Sequence, residues 1–191
     1  MADVGDAPDA GATLGLAPGE LVLVPHDPRW AQAYAREAAR IRAAFGARPA
    51  EIAHVGSTAV PGLAAKPILD VMIGRPADGD VAPYVAAMER IGYEHRGPYG
   101  IPGRNYFVRD DAAGRRTHHV HMVAHGGAFW RRHLAFRDQL RAHPGHAAAY
   151  EALKRRLAER HAHDRDAYTD GKTAFVQEIE RLAGIGPERG G

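Results

Sequence analysis

The spacing of apolar residues divides the chain into segments of two different periods. Trp30, Tyr34, Ala38, Ile41 and Phe45 recur at three- and four-residue intervals, the period of a helix that buries one face. His26-Asp27-Pro28 supplies its start, with Asp27 as N-cap and Pro28 at the first helical position, and Gly46 supplies its end. A strand is predicted before this helix over Glu20–Val24. Another follows over Glu51–Val55 and runs into a Gly56-Ser57 turn. Pro67–Gly74 is apolar on both alternating faces, with Leu69, Val71 and Ile73 on one side and Ile68 and Met72 on the other. That is the pattern of a central strand covered on both faces. Val81–Ile91 reads as a helix stopped by Gly92, and Arg104–Arg109 with Thr117–Ala124 as a β-hairpin across a polar turn.

After Gly126-Gly127 the period becomes helical almost to the end. Phe129, His133, Phe136 and Leu140 form one stripe, and Tyr150, Leu153 and Leu157 a second. Phe175, Ile179 and Leu182 form a third, after an N-cap signal at Asp164. The predicted architecture is α/β (α+β), a mixed sheet with flanking helices and a C-terminal half of three helices. Residues 1–18, rich in Ala, Gly, Asp and Pro, read as a disordered tail, and 184–191 as a flexible one. This leaves one domain over residues 19–183.

Composition sharpens the class. The chain is 45% hydrophobic and 25% charged, as in ordinary soluble globular domains. No run approaches the roughly 18 apolar residues of a membrane span, so no membrane partner is expected. The absence of cysteine excludes disulfides and thiolate metal sites. Together with the lack of a leader-like N-terminus it favours the cytoplasm. The formal charge is only +2. Its arginines are dispersed, and the Arg131-Arg132 and Lys154-Arg155-Arg156 clusters read as solvated helix faces, so nucleic acid is not an expected partner. Lysine is scarce: only Lys66, Lys154 and Lys172 occur. A compact ammonium and a planar guanidinium act differently on phosphate, which draws attention to Lys66.

The candidate chemistry lies between His54 and Ile73 and on one later strand. Gly56 permits close backbone approach, and the following N–H groups and the Ser57 hydroxyl suit phosphate oxygens; a plain turn is the alternative. Asp70 is a charge within the apolar run PILDVMI, costly unless it is paired or metal-bound. It is either a functional carboxylate or a strand-end partner of an arginine. His119 and His121 share a strand face opposite Val120 and Met122. Two imidazoles with a nearby Asp70 are a possible ligand set for a divalent metal, Mg²⁺ or a transition metal. They equally suit exposed polar alternates. His54 either touches the ligand or orients the turn. Arg104 is a possible anion clamp and Lys172 a possible second cation at the site. Each has an ordinary surface role as its alternative.

The segment HVGSTAVPGLAAKPILDVMI, with VPHDPRWAQAYAREAARI before it and RNYFVR, HHVHMV and WRRHLAFRDQLRAHP after it, closely resembles the GrpB family (UPF0157-type). The likeness continues through YEALKRRLAERHAHDRDAYTDGKTAFV and covers about Leu21–Leu182. The resemblance implies a nucleotidyltransferase-superfamily fold. There, Gly56 and Ser57 would hold the triphosphate of ATP or another NTP, and Asp70 would be the first of two metal-binding carboxylates. Met72 stands where the second is expected, and His119 and His121 replace a later acid. GrpB-like domains joined to dephospho-CoA kinase domains point to nucleotide-related metabolism. The implied function is transfer chemistry on a nucleotide or phosphorylated small molecule with metal assistance, by Asp70, Lys66, His119 and His121. Non-catalytic binding, and metal-dependent chemistry of another kind, are the alternatives.

Overall fold

The computed structural model describes residues 13–186. Helix α1 (Arg29–Phe45) is followed by β1 (Glu51–Val55), a 3-10 turn over Ser57–Ala59, and β2 (Leu69–Arg75). Next come α2 (Ala82–Arg90), the two-residue β3 (Glu94–His95), and the hairpin β4 (Asn105–Asp110) and β5 (Arg116–Ala124). Four helices complete the chain: α3 (Ala128–Ala142), α4 (Pro144–Arg160), α5 (Arg165–Asp170) and α6 (Thr173–Leu182).

The five-stranded sheet has the order β1-β2-β5-β4-β3. The β2–β5 pair is parallel and the other pairs are antiparallel, which makes the sheet mixed. The apolar alternation assigns its two faces. Ile52, Val71, Ile73, Phe107, Val120 and Met122 point to the layer of α1 and α2, where Ile41, Phe45, Tyr84 and Met88 meet them in one core. On the other face Val55, Met72 and Val123 pack against Trp130 of α3. Leu140, Tyr150 and Ile179 join α3, α4 and α6 above the chain that links β1 to β2.

The α1 start lies one residue later than its cap signal suggests. Pro28 occupies the cap position, and the Asp27 carboxylate accepts from Arg29 N at 2.9 Å. The segment Glu20–Val24 is not a strand. Only Val24 makes a bridge, exchanging two backbone hydrogen bonds with Ala65 at 2.9 and 3.0 Å. Ala65 itself lies in the link before β2, outside the named strands, so the pairing stays a single bridge. Leu16, within the stretch expected to be disordered, is buried and bridges Arg116; residues 1–12 and 187–191 lie outside the described residues.

The C-terminal half departs from three helices at a glycine. Asp164 caps α5 by accepting from Ala167 N at 2.9 Å, and the chain turns at Gly171 before α6 begins. A Cβ on Gly171 would lie 2.5 Å from Leu157 Cδ2. This turn therefore packs tightly on α4 and sets Lys172 at the N-cap of α6.

Candidate functional site

A cavity of about 1010 Å³ lies between the sheet and the C-terminal helices, on the face turned away from α1 and α2. Strand register builds its floor. Asp70 of β2 pairs with His119 of β5, Met72 pairs with His121, and His121 pairs with Tyr106 of β4. Cross-strand partners share a face, so Asp70, His119, His121 and Tyr106 stand together in the cavity.

The Gly56-Ser57 turn forms one wall. Gly56 has φ +70° and ψ −172°, a combination essentially reserved for glycine. A Cβ there would lie 2.9 Å from Asp70 Cβ and Cγ, and closer still to Oδ2. Close approach of backbone and carboxylate therefore requires glycine on two independent grounds. The Asp70 Oδ1 atom lies 3.2 Å from His119 Nδ1. Burial raises the carboxyl pKa, but the His119 hydrogen bond and nearby positive charge, Lys66 included, outweigh it and bring the group to about 2. Asp70 is thus an anion throughout the ordinary pH range.

All three lysines of the chain line this one cavity. Lys66 comes from the loop before β2, Lys154 from α4 and Lys172 from the start of α6. Lys66 and Lys172 lie on the Tyr168 ring, 5.6 and 4.3 Å from its centroid. Lys154 is buried; its Nζ donates to Ser57 Oγ at 3.0 Å and to the carbonyl of Ala64. Burial depresses all three ammonium groups, Lys172 to about 8 and Lys154 to about 7. An anion delivered among them relieves that destabilisation. No described carboxylate within 4.0 Å forms an ion pair with any of the three.

Among the residues singled out in the sequence, Gly56, Ser57, Lys66, Asp70, Arg104, His119, His121 and Lys172 line the cavity. His54 does not. It faces the α1 layer, stacks on Tyr34 with centroids 4.6 Å apart, and pairs with Thr58 Oγ1 at 3.0 Å, so it shapes the turn from behind. Arg104 is largely committed to its own loop: Nε donates to Pro98 O at 3.2 Å and Nη2 to Tyr99 O at 2.7 Å. Lys154 was hidden by its Arg155-Arg156 neighbours, although lysine scarcity marks it as clearly as it marks Lys66. Tyr106, Tyr150 and Tyr168 give no comparable sequence signal, because an aromatic in a stripe reads as core.

As they stand, Asp70, His119 and His121 are not arranged as a site for a divalent cation. Asp70 is engaged by His119, and His121 Nδ1 faces Arg104 Nη1 at 3.4 Å, where a guanidinium would repel a metal. Burial holds His121 down at about 3, so its neutral Nδ1 serves as the acceptor. Among the described residues no group of three or more His, Asp or Glu is arranged to hold a metal ion. Met72 is fully buried against Val55, Val123 and Trp130, and its position lies outside the cavity lining.

The buried imidazoles set an acid limit. Burial lowers His54 to about 4 and His118 and His121 to about 3. Between the ordinary histidine value and these values, the unfolded chain binds protons that the folded chain does not, so stability falls as pH falls. The loss approaches about 1.4 kcal/mol per pH unit for each histidine. Urea midpoints measured from pH 7 to 4.5 are expected to drop steeply, and His118→Asn to flatten that dependence.

Comparison with known proteins gives the family to which the chain belongs. A family model described as "GrpB protein" matches residues 20–182. The UPF0157 protein YqkA of Bacillus subtilis is 38% identical over 161 residues, 84% of this chain and 46% of that protein. The chain thus spans about half the length of that relative. The glutamate-rich protein GrpB of Alkalihalophilus pseudofirmus is 35% identical over 169 residues, 87% of this chain and 97% of that one. Among solved structures, conserved protein GrpB from Enterococcus faecalis matches with a TM-score of 0.76 and 35% identity, over 85% of this chain and 96% of that one. No described helix is long and apolar enough to cross a membrane. With a family model matched over residues 20–182 and its fold and most of its length in common with these proteins, the chain belongs to the GrpB family.

Proposed function

We propose that the protein is an enzyme that binds a nucleotide or another phosphorylated small molecule and promotes transfer of its phosphoryl or nucleotidyl group. The observation that carries this reading is the gathering of Lys66, Lys154 and Lys172 around the Ser57 turn in one cavity. Three part-desolvated ammonium groups and a glycine-opened turn suit phosphate oxygens, because charge-assisted hydrogen bonds strengthen where water is excluded. A cavity of about 1010 Å³ accommodates a ligand of nucleotide size.

Asp70 supplies the other half. Its carboxylate, ionised and oriented by His119, accepts the proton of an attacking hydroxyl or water beside the bound phosphate, and His119 keeps that carboxylate in place. The new P–O bond forms as the bond to the remaining phosphate or diphosphate breaks, and the lysines offset the charge on the transferring group and on that departing anion. No step is routed through a metal, since the donors at hand do not form a ligand set for one. Non-catalytic binding is the second reading, favoured by the apolar burial of Met72 where the superfamily resemblance puts an acid.

Binding is expected to take up protons. Lys154 near 7 and Lys172 near 8 are partly neutral at pH 8, and an anion favours their charged forms. ATP titrated calorimetrically at pH 8 should therefore show a heat that varies with the ionisation enthalpy of the buffer. Lys172→Met should weaken binding by roughly ten-fold or more and reduce the uptake. Equal binding by wild type and Lys172→Met, with no buffer dependence in either, would remove the phosphate reading.

A further inference from the structure

The cavity is also lined by rings. Residues 97–104 read GPYGIPGR, and Tyr99 among them has φ +45°. It is the one non-glycine among the described residues with positive φ, a conformation that a bulky residue holds only when its surroundings impose it. Here Arg104 imposes it. The buried guanidinium takes the carbonyls of both Pro98 and Tyr99. The outcome is a tyrosine left 69% exposed at the cavity. A strained backbone thus holds a largely exposed aromatic side chain at the cavity, with Tyr106 as its ring neighbour.

Behind Tyr99 the rings continue inward. Tyr99 and Tyr106 have centroids 5.3 Å apart, Tyr106 stacks on His121 at 5.2 Å, and Phe129 stacks on His133 at 4.0 Å beside it. Arg104 lies 5.0 Å over the Tyr106 ring. All of these line the same cavity as the lysines. Asp70 and Tyr106 stand two strands apart, about 10 Å at the usual strand spacing. The cavity thus carries the three lysines with Ser57 and Tyr168, and also the run of rings on β4, β5, α3 and the loop before β4, with Arg104 over it.

We propose that this aromatic wall is a nucleobase subsite, with Tyr99 as its outer stacking surface, so that the ligand is a nucleoside phosphate. The assignment rests on the phosphate-binding reading and narrows it, since a sugar phosphate or an inorganic polyphosphate has no flat heteroaromatic face to stack. Base–aromatic stacking tolerates different bases, so Tyr99 selects for a base without choosing among them.

Calorimetric titration of ATP, tripolyphosphate and ribose 5-phosphate into wild type, Tyr99→Ala and Tyr99→Phe tests this. Tyr99→Ala is expected to weaken ATP roughly ten-fold or more and to leave the other two ligands unchanged; Tyr99→Phe should bind all three as wild type does. An exposed ring is not needed for folding, and an unchanged Tm verifies that. Unaltered ATP affinity in Tyr99→Ala, or wild type binding tripolyphosphate as tightly as ATP, would overturn the base subsite and leave the phosphate site standing. An equal loss of ribose 5-phosphate affinity would also overturn it, by making Tyr99 a sugar contact. Failure of wild type to bind any of the three would overturn the phosphate reading itself.

Discussion

Asp70→Asn is expected to reduce turnover of a phosphorylated substrate by about 10²–10⁴-fold, the usual worth of a positioned proton acceptor, while the protein stays folded and still binds phosphate. Asparagine has the shape of aspartate, so the Gly56 approach survives the change. What is lost is a charge that His119 holds in place at 3.2 Å and that lies among lysines. Asp70 raises the pKa of both Lys66 and Lys172 against the effect of their burial. Its removal makes these ammonium groups easier to deprotonate but also takes away a carboxylate that competes with an incoming phosphate. The two effects oppose each other in binding and add nothing to catalysis. ATP hydrolysis, followed by phosphate release, serves as the assay, with affinity measured in parallel. A fall in kcat with little change in affinity is the expected pattern. Unchanged kcat would leave Asp70 a structural partner of His119 and would favour a binding module.

Gly56→Ala is expected to disrupt both fold and site. The backbone at φ +70°, ψ −172° costs a residue with a side chain about 1–3 kcal/mol, and the added methyl would overlap the Asp70 carboxylate. Relief requires Asp70 to leave its rotamer, which breaks the His119 contact, or the turn to move away from β2, which shifts Ser57 from Lys154. Together these predict a loss of about 2–4 kcal/mol in unfolding free energy, read from urea midpoints. ATP binding should also disappear. Ser57→Ala separates the parts: it keeps the turn and the stability and removes only the hydroxyl that Lys154 donates to at 3.0 Å. A Gly56→Ala protein as stable and as active as wild type would show that the turn and the carboxylate are not coupled.

Much of this arrangement is legible in the chain before folding. Period-two alternation around Asp70 and His119 identifies their common face, because one slip of register would send every apolar partner to the wrong side. The central position of β2 follows from apolar residues on both of its faces. Three things escape such reading. The bridge of Val24 with Ala65, and that of Leu16 with Arg116, depend on backbone groups and leave no side-chain pattern. The break between α5 and α6 follows from Gly171 packing on Leu157, a contact between residues far apart in sequence.

The metal expectation shows the same limit from the other direction. Asp70, His119 and His121 do meet on one face, as their spacing suggests. Asp70 Oδ1 and the Nδ1 atoms of both imidazoles, however, already have partners in each other or in Arg104, and hydrogen-bond partners cannot be read from strand periodicity. Lys154 is the reverse case. Its neighbours in sequence are solvated arginines, yet helix α4 turns it inward to Ser57. Only its rarity as a residue type set it apart.

The most direct test of the cationic cavity is a crystal of the protein soaked with ATP, without added metal. Phosphate density is expected within hydrogen-bond distance of Ser57 and of at least two among Lys66, Lys154 and Lys172, with Asp70 beside it. Density for the nucleotide elsewhere on the surface, with those three lysines left in contact only with protein and water, would contradict the account.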